Sequence, residues 1–206
     1  MLPLRDYFLR QGAWLALAFI LLYKIGDTMA SSMSTPFYLE LGYSKTEIGA
    51  VVKLFGFWAT IAGGTIGGVL IMRIGLARAL WVFGLGQMLS TLGFVALAYA
   101  GHDPIALAAV IALENFTGGL GTTAFVGFMA ALTNRRFTAT QYALLSSLMG
   151  VPRVLLSAPT GWFALTLGWP GFFTLCTLIA IPGLMLIRSV TRLADPHQPQ
   201  LQSAPK

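Results

Sequence analysis

Long apolar segments alternate with short polar breaks along almost the whole chain. A helix that crosses the hydrocarbon core of a bilayer needs about 20 mostly apolar residues. Six stretches meet that requirement, at about 12 to 35, 46 to 72, 78 to 100, 104 to 132, 140 to 167 and 170 to 190. Turn-forming residues stand between several of them: Thr35-Pro36, Gly42-Tyr-Ser-Lys-Thr46, Gly101-His-Asp-Pro104, Asn134-Arg-Arg136 and Gly168-Trp-Pro-Gly171. The pattern predicts an all-α membrane protein, a bundle of six transmembrane helices over residues 12–190. A lead of residues 1–11 precedes it. The tail, 191–206, carries Pro196, Pro199 and Pro205 and reads as disordered from Asp195 onward.

Composition agrees with the pattern. Of 206 residues, 56% are hydrophobic and 10% charged, with a mean hydropathy of +0.76; soluble domains carry about a quarter charged residues. A formal net charge of +6 would suggest nucleic acid in a soluble domain, but here the cations sit mostly in loops, and no nucleic-acid partner is expected. Arg5, Arg10, Arg73, Arg78, Arg135, Arg136, Arg188 and Arg192 fall on one side of the expected bundle, and Lys45 on the other. Positively charged loops stay in the cytoplasm, so both termini are expected there. The apolar stretch after Arg10 is too long for the core of a secretory signal and lacks a fitting small-residue cleavage site. The lead is therefore read as cytoplasmic.

Enzymatic patterns do not occur in the sequence: there is no HExxH, GxSxG or phosphate-binding loop. His102 and His197 lie outside the spans, and the single cysteine, Cys176, sits in an apolar run where it reads as a small hydrophobe. Neither a catalytic role, a metal nor a cofactor is expected.

The chemistry is expected where polar groups interrupt the spans. Ala112-Leu-Glu-Asn-Phe-Thr-Gly-Gly-Leu-Gly-Thr-Thr-Ala124 puts a carboxylate, an amide, three hydroxyls and three glycines into the fourth one. A charge near the bilayer centre costs about 2.5–3.5 kcal/mol on insertion scales, so Glu114 requires a partner and suggests a functional site. Glu114, Thr117, Gly118, Gly121 and Thr122 share one helical stripe. They either line a cavity, with the glycines allowing the helix to bend or break, or serve tight packing around a hydrogen-bonded Glu114. In the first span Lys24 and Asp27, three positions apart, are placed to pair, and Thr28 and Ser31 continue their face. That pair is either self-neutralising and structural or exchanges a partner for a proton or a substrate group. Arg153 falls near the middle of the fifth span and cannot shed its proton. It faces a substrate anion, a cavity, or an acid such as Glu114 or Asp27. Pro152 and Pro159 are expected to kink that helix.

The remaining candidates have bland readings beside the functional ones. Lys53 can snorkel to the outer interface. Gln141 stands near a helix start, where capping competes with substrate contact. Trp81 and Trp169 suit interface anchoring, while Trp58 and Trp162 are placed deeper, to pack or to line a sugar site. In the second span Gly49, Gly56 and Gly63 recur every seven residues, and Gly63/Gly67 and Gly64/Gly68 are small-xxx-small pairs suited to close helix approach.

Gly67-Gly-Val-Leu-Ile-Met-Arg-Ile-Gly-Leu-Ala-Arg78 resembles the loop motif Gly-x-Leu-x-Asp-Arg-x-Gly-Arg of the major facilitator superfamily, with Arg73 and Gly75 in place and Met72 at the acidic position. Four further stretches resemble the anhydromuropeptide permease (AmpG) family of that superfamily: Leu22-Tyr-Lys-Ile-Gly-Asp27, Glu114-Asn-x-x-Gly-Gly-x-Gly-Thr122, Phe137-Thr-Ala-Thr-Gln-Tyr-Ala-Leu-Leu-Ser146, and Arg153-Val with Gly161-Trp-Phe163. The resemblance covers roughly residues 3 to 190 and implies the C-terminal half of a twelve-helix transporter in the bacterial inner membrane.

It further implies proton-driven import of GlcNAc-anhydroMurNAc-peptides from periplasm to cytoplasm, for peptidoglycan recycling. Lys24, Asn115, Thr122 and Arg153 would face the carboxylates and sugar hydroxyls of the cargo, and Asp27 or Glu114 would carry the proton. The partners implied are the bilayer, a muropeptide, protons and a separate or missing N-terminal six-helix half, with a homodimer as the other way to complete the bundle. Acetyl-CoA or another peptide-like anion is the alternative cargo, and a non-transporting truncated membrane module the alternative role.

Overall fold

The computed structural model describes residues 12–132, 143, 145–147 and 150–191, the last range without the side chains of 151–158. The lead, the Asn134-Arg-Arg136 turn, Gln141 and the tail beyond Thr191 lie outside the described residues. In chain order the helices are α1 (Ala13–Tyr23), α2 (Ile25–Glu40), α3 (Lys45–Val51), a π-helical turn (Val52–Gly56), α4 (Phe57–Ile74), α5 (Leu76–Ser90), α6 (Leu92–Ala100), α7 (Pro104–Leu132) and α8 (Gly150–Thr191). Five stretches among the described residues are long and apolar enough to cross a membrane: Ala13–Glu40, Lys45–Ile74, Leu76–Ala100, Pro104–Leu132 and Pro159–Thr191. The expected span at 140–167 is described mainly in its second part, which is the first half of α8. Gly168, at φ 66° and ψ 168°, breaks α8 inside the expected Gly-Trp-Pro-Gly turn and so separates the last two spans.

Local chemistry explains the tight connections. Ser44 and Glu47 form a reciprocal capping box that starts α3, the Ser44 hydroxyl accepting from the Glu47 amide at 3.2 Å and the Glu47 carboxylate from the Ser44 amide at 2.7 Å. Asp103 caps α7, its Oδ1 accepting from the Ile105 amide at 2.8 Å, with Pro104 at the first helical position, where a missing N–H costs nothing. Gly75 alone joins α4 to α5, at φ 81°, a conformation that glycine adopts without strain. One expected boundary is wrong: the first span does not end at Thr35-Pro36 but runs through Pro36 to Glu40. Burial of Phe37 and Tyr38 in an aromatic cluster with Phe94 and Phe173 outweighs the single ladder bond that proline removes.

Two apolar clusters hold the bundle together. One gathers Phe19, Tyr23, Leu80, Phe83, Phe125, Phe128 and Ile187; the other gathers Phe37, Phe94, Ile111, Phe172, Phe173 and Cys176. Between them the polar residues of three spans meet as a layer: Lys24 and Asp27, then Gln87, Ser90 and Thr91, then Glu114 and Thr117. Trp169 belongs to the second cluster, 5.2 Å from Phe37 and 6.1 Å from Phe173, rather than standing as a simple interface anchor. Trp81, in the second turn of α5, lies under the Arg188 guanidinium at 5.8 Å. Trp58 and Trp162 are 64% and 62% exposed, so neither packs into the described interior.

The glycine-rich fourth span does not break: α7 is one 29-residue helix. Its glycines serve close approach instead. A methyl group at Gly119 would stand 2.6 Å from the Thr60 carbonyl, and one at Gly63 would collide with the Phe116 carbonyl, so the second and fourth spans cross backbone to backbone.

Candidate functional site

The polar layer opens on one side into a cavity of about 540 Å³. Its wall is built from the first span (Lys24, Asp27, Ser31, Thr35, Tyr38), the second (Thr60, Gly64) and the fourth (Glu114, Asn115, Gly118, Thr122). Five of the six residues expected at the site therefore line one space. The sixth, Arg153, belongs to α8, and its side chain lies outside the described residues.

Helix irregularities gather here. The first span is interrupted at Lys24, whose φ of −103° and ψ of 4° leave the helical region between α1 and α2. The third is interrupted at Thr91, between α5 and α6, where both Ser90 and Thr91 turn their hydroxyls back onto the Gln87 carbonyl at 2.8 and 3.1 Å. Such back-bonding weakens the ladder and bends helices; the Thr91 amide stands 3.3 Å from the same carbonyl. The second carries the π-helical turn Val52–Gly56, a feature often found at functional sites. Thr60 Oγ1 follows one turn later, donating to the Gly56 carbonyl at 2.9 Å and to Asn115 Oδ1 at 3.2 Å. Irregular backbone at membrane depth is tolerated where it is buried in protein or lines a water-filled space.

Lys24 Nζ donates to Asp27 Oδ2 at 3.2 Å, the expected pair, and to Gln87 Oε1 at 3.1 Å. An ammonium has three protons, and Lys24 also lines the cavity, so its third is available to a bound acceptor. Glu114 is 7% exposed. Lys24 donates to Asp27 and Gln87, and among the described residues hydroxyl groups serve Glu114, Ser90 Oγ donating to Oε2 at 2.5 Å and Thr91 Oγ1 to Oε1 at 3.5 Å. Ser90 Oγ also lies 2.8 Å from Thr117 Oγ1. The stripe Glu114, Thr117, Gly118, Gly121 and Thr122 accordingly divides. Thr117 and Gly121 turn toward the third span, Gly118 stands between Gln87 and the cavity, and Thr122 faces the cavity.

The third span was missing from the sequence-based site. Gln87, Ser90 and Thr91 are all buried and complete the network. Their spacing, three and then one, puts them on one helix face inside an otherwise apolar segment. That was the available signal, but none of them carries a charge to draw attention.

Buried ionisable groups around an open cavity within a bundle of membrane-crossing helices mark a class of protein, the membrane transporters that pass a polar cargo between packed helices. The chain matches the Major Facilitator Superfamily over residues 15–206 and belongs to it, a superfamily of transporters rather than of enzymes. The chain is 42% identical over 186 residues to the anhydromuropeptide permease of Escherichia coli (strain K12), an alignment covering 90% of this chain and 38% of that protein. It is 37% identical over 185 residues to the putative transporter AmpG 4 of Rickettsia conorii, covering 90% and 45%, and 40% identical over 196 residues to an uncharacterised protein of Haemophilus influenzae, covering 90% and 46%. The chain thus spans less than half the length of these relatives.

Proposed function

We propose that this chain forms the C-terminal six-helix half of a proton-driven importer of anhydromuropeptides in the bacterial inner membrane, with both termini cytoplasmic. The observation that carries the cargo is the 42% identity to an anhydromuropeptide permease over nine-tenths of the chain. The cavity supports it. Lys24 has an ammonium proton not engaged by the described residues to offer a peptide or lactyl carboxylate, and Asn115 and the Thr60 and Thr122 hydroxyls suit sugar hydroxyls; Arg153, whose side chain lies outside the described residues, is assigned a second carboxylate on its chemistry alone. Asp27 and Glu114 are the described acids able to carry the proton. The open side of the cavity is closed by a complementary six-helix half, and rocking of one half against the other gives alternating access.

The test is uptake of radiolabelled GlcNAc-anhydroMurNAc-tripeptide by permease-deficient cells expressing this chain together with an N-terminal half from a relative, linked or separate. Uptake that collapses with a protonophore, and that Arg153→Ala or Lys24→Met abolishes at unchanged membrane levels, is the expected result. Uptake by Arg153→Ala equal to that of the unaltered chain would remove Arg153 from the site. Competition by acetyl-CoA but not by unlabelled muropeptide would replace the cargo, and equal uptake by this chain alone would favour a homodimer.

A further inference from the structure

Gln87 occupies a position that packing alone does not justify. It is buried, yet its Nε2 has no hydrogen-bond partner among the described residues, an arrangement that costs stability. Space for it is made by the fourth span: a methyl group at Gly121 would stand 2.5 Å from Gln87 Oε1, and one at Gly118 would stand 3.5 Å from Nε2. Lys24 sets which way the amide points. With Oε1 on the ammonium at 3.1 Å, Nε2 is turned away from it, because two donors cannot face one another. The main chain of the same residue does something different. Its carbonyl lies within hydrogen-bond distance of the Ser90 and Thr91 hydroxyls, and each of these shares its single proton between that carbonyl and Glu114.

We propose that Gln87 is the positioning residue that couples the cavity cation to the buried carboxylate, holding Lys24 by its side chain and the hydroxyls that serve Glu114 by its carbonyl. An anion that draws Lys24 into the cavity removes the contact that orients the Gln87 amide. The amide is then free to turn and satisfy Nε2, and the junction of α5 and α6 at Thr91, where two hydroxyls and an amide share one carbonyl, shifts with it. Ser90 and Thr91 move relative to Glu114. Occupancy of the cavity thereby changes how well Glu114 is hydrogen-bonded, and the reverse follows by linkage. The ionisable groups described around Glu114 are Asp27, Lys24 and Tyr38 from the first span and Cys176 from the last, none of which lies on the third. The third span contributes only neutral groups, as a relay of hydrogen bonds requires.

The inference rests on the proposed transport reading, and the experiment keeps the two apart. Vesicles holding this chain with its complementary half are assayed for proton-gradient-driven accumulation of labelled anhydromuropeptide and, separately, for exchange of cargo at equal concentration on both sides. Failure of the unaltered protein in both assays rejects the transport reading. If that protein is active, Gln87→Leu is expected to lower accumulation at least about tenfold more than it lowers exchange, a loss within the usual range of coupling between linked sites. Ser90→Ala, which leaves the Gln87 side chain and Lys24 untouched and adds no bulk, is expected to show the same split, and it decides the matter if Gln87→Leu does not reach the membrane. Equal losses in the two assays would reduce Gln87 to a structural or cargo-contacting role, and accumulation like that of the unaltered protein would overturn the coupling altogether.

Discussion

Glu114 survives in the bundle interior because Ser90 and Thr91 bring hydroxyls to it from a neighbouring helix, at 2.5 and 3.5 Å. Replacing it with glutamine keeps an acceptor for Ser90 and removes a charge whose insertion costs about 2.5–3.5 kcal/mol near the bilayer centre. Glu114→Gln is therefore expected to raise or preserve the thermal midpoint of the detergent-solubilised protein while proton-driven uptake falls. A lowered midpoint would mean that the charged form contributes to the fold. Lys24 and Asp27 were legible as a pair from their spacing, because helix geometry alone brings positions three apart together. The Lys24–Gln87 contact was not: it joins residues 63 positions apart, and only the packing of the first span on the third creates it.

Among the elements, the second and fourth spans depend on each other most directly. Gly63 and Gly119 have no room for a side chain at the crossing, where the obstacles are backbone carbonyls that cannot rotate away. Gly63→Leu is expected to force the helices apart, at a cost of about 1–3 kcal/mol or more for overpacking, and to disturb the Thr60–Asn115 contact one turn away. The thermal midpoint should drop, whereas Gly68→Leu, on the same helix with nothing within 4 Å of the added methyl, should leave it nearly unchanged. Equal effects of the two would show that the crossing is not tight. Glycine periodicity pointed to this face in advance. It did not show that the fourth span would stay one unbroken helix, since a glycine permits a break but only the surrounding packing decides whether one forms. Pro36 teaches the same lesson in the opposite direction, a residue that reads as a stop being carried through by the aromatic cluster around Phe37.

For the whole molecule, the distribution of arginine implies an orientation that labelling can check. With Cys176 replaced by serine, Lys45→Cys is expected to react with a membrane-impermeant maleimide in intact spheroplasts, and Arg78→Cys only after lysis. The opposite pattern would invert the proposed topology. Residues of four spans line the cavity, Lys24 from the first, Thr60 from the second, Phe94 from the third and Glu114 from the fourth. Under the proposed function a complementary half supplies the remaining contacts.

Sequence alone determined the membrane class, the family, the approximate course of the described spans, and the presence of Lys24, Asp27 and Glu114 inside them. These follow from hydrophobic length, from the cost of charge in hydrocarbon and from motifs read at short range. Tertiary structure decided which polar groups serve which. Glu114 takes its hydrogen bonds from the third span, Lys24 divides its protons between Asp27 and Gln87, and the glycines of the fourth span hold helices together instead of breaking one. The reason is physical: neutral residues such as Gln87, Ser90 and Thr91 leave little trace in a hydropathy pattern, and their partners are chosen by the register in which distant helices pack.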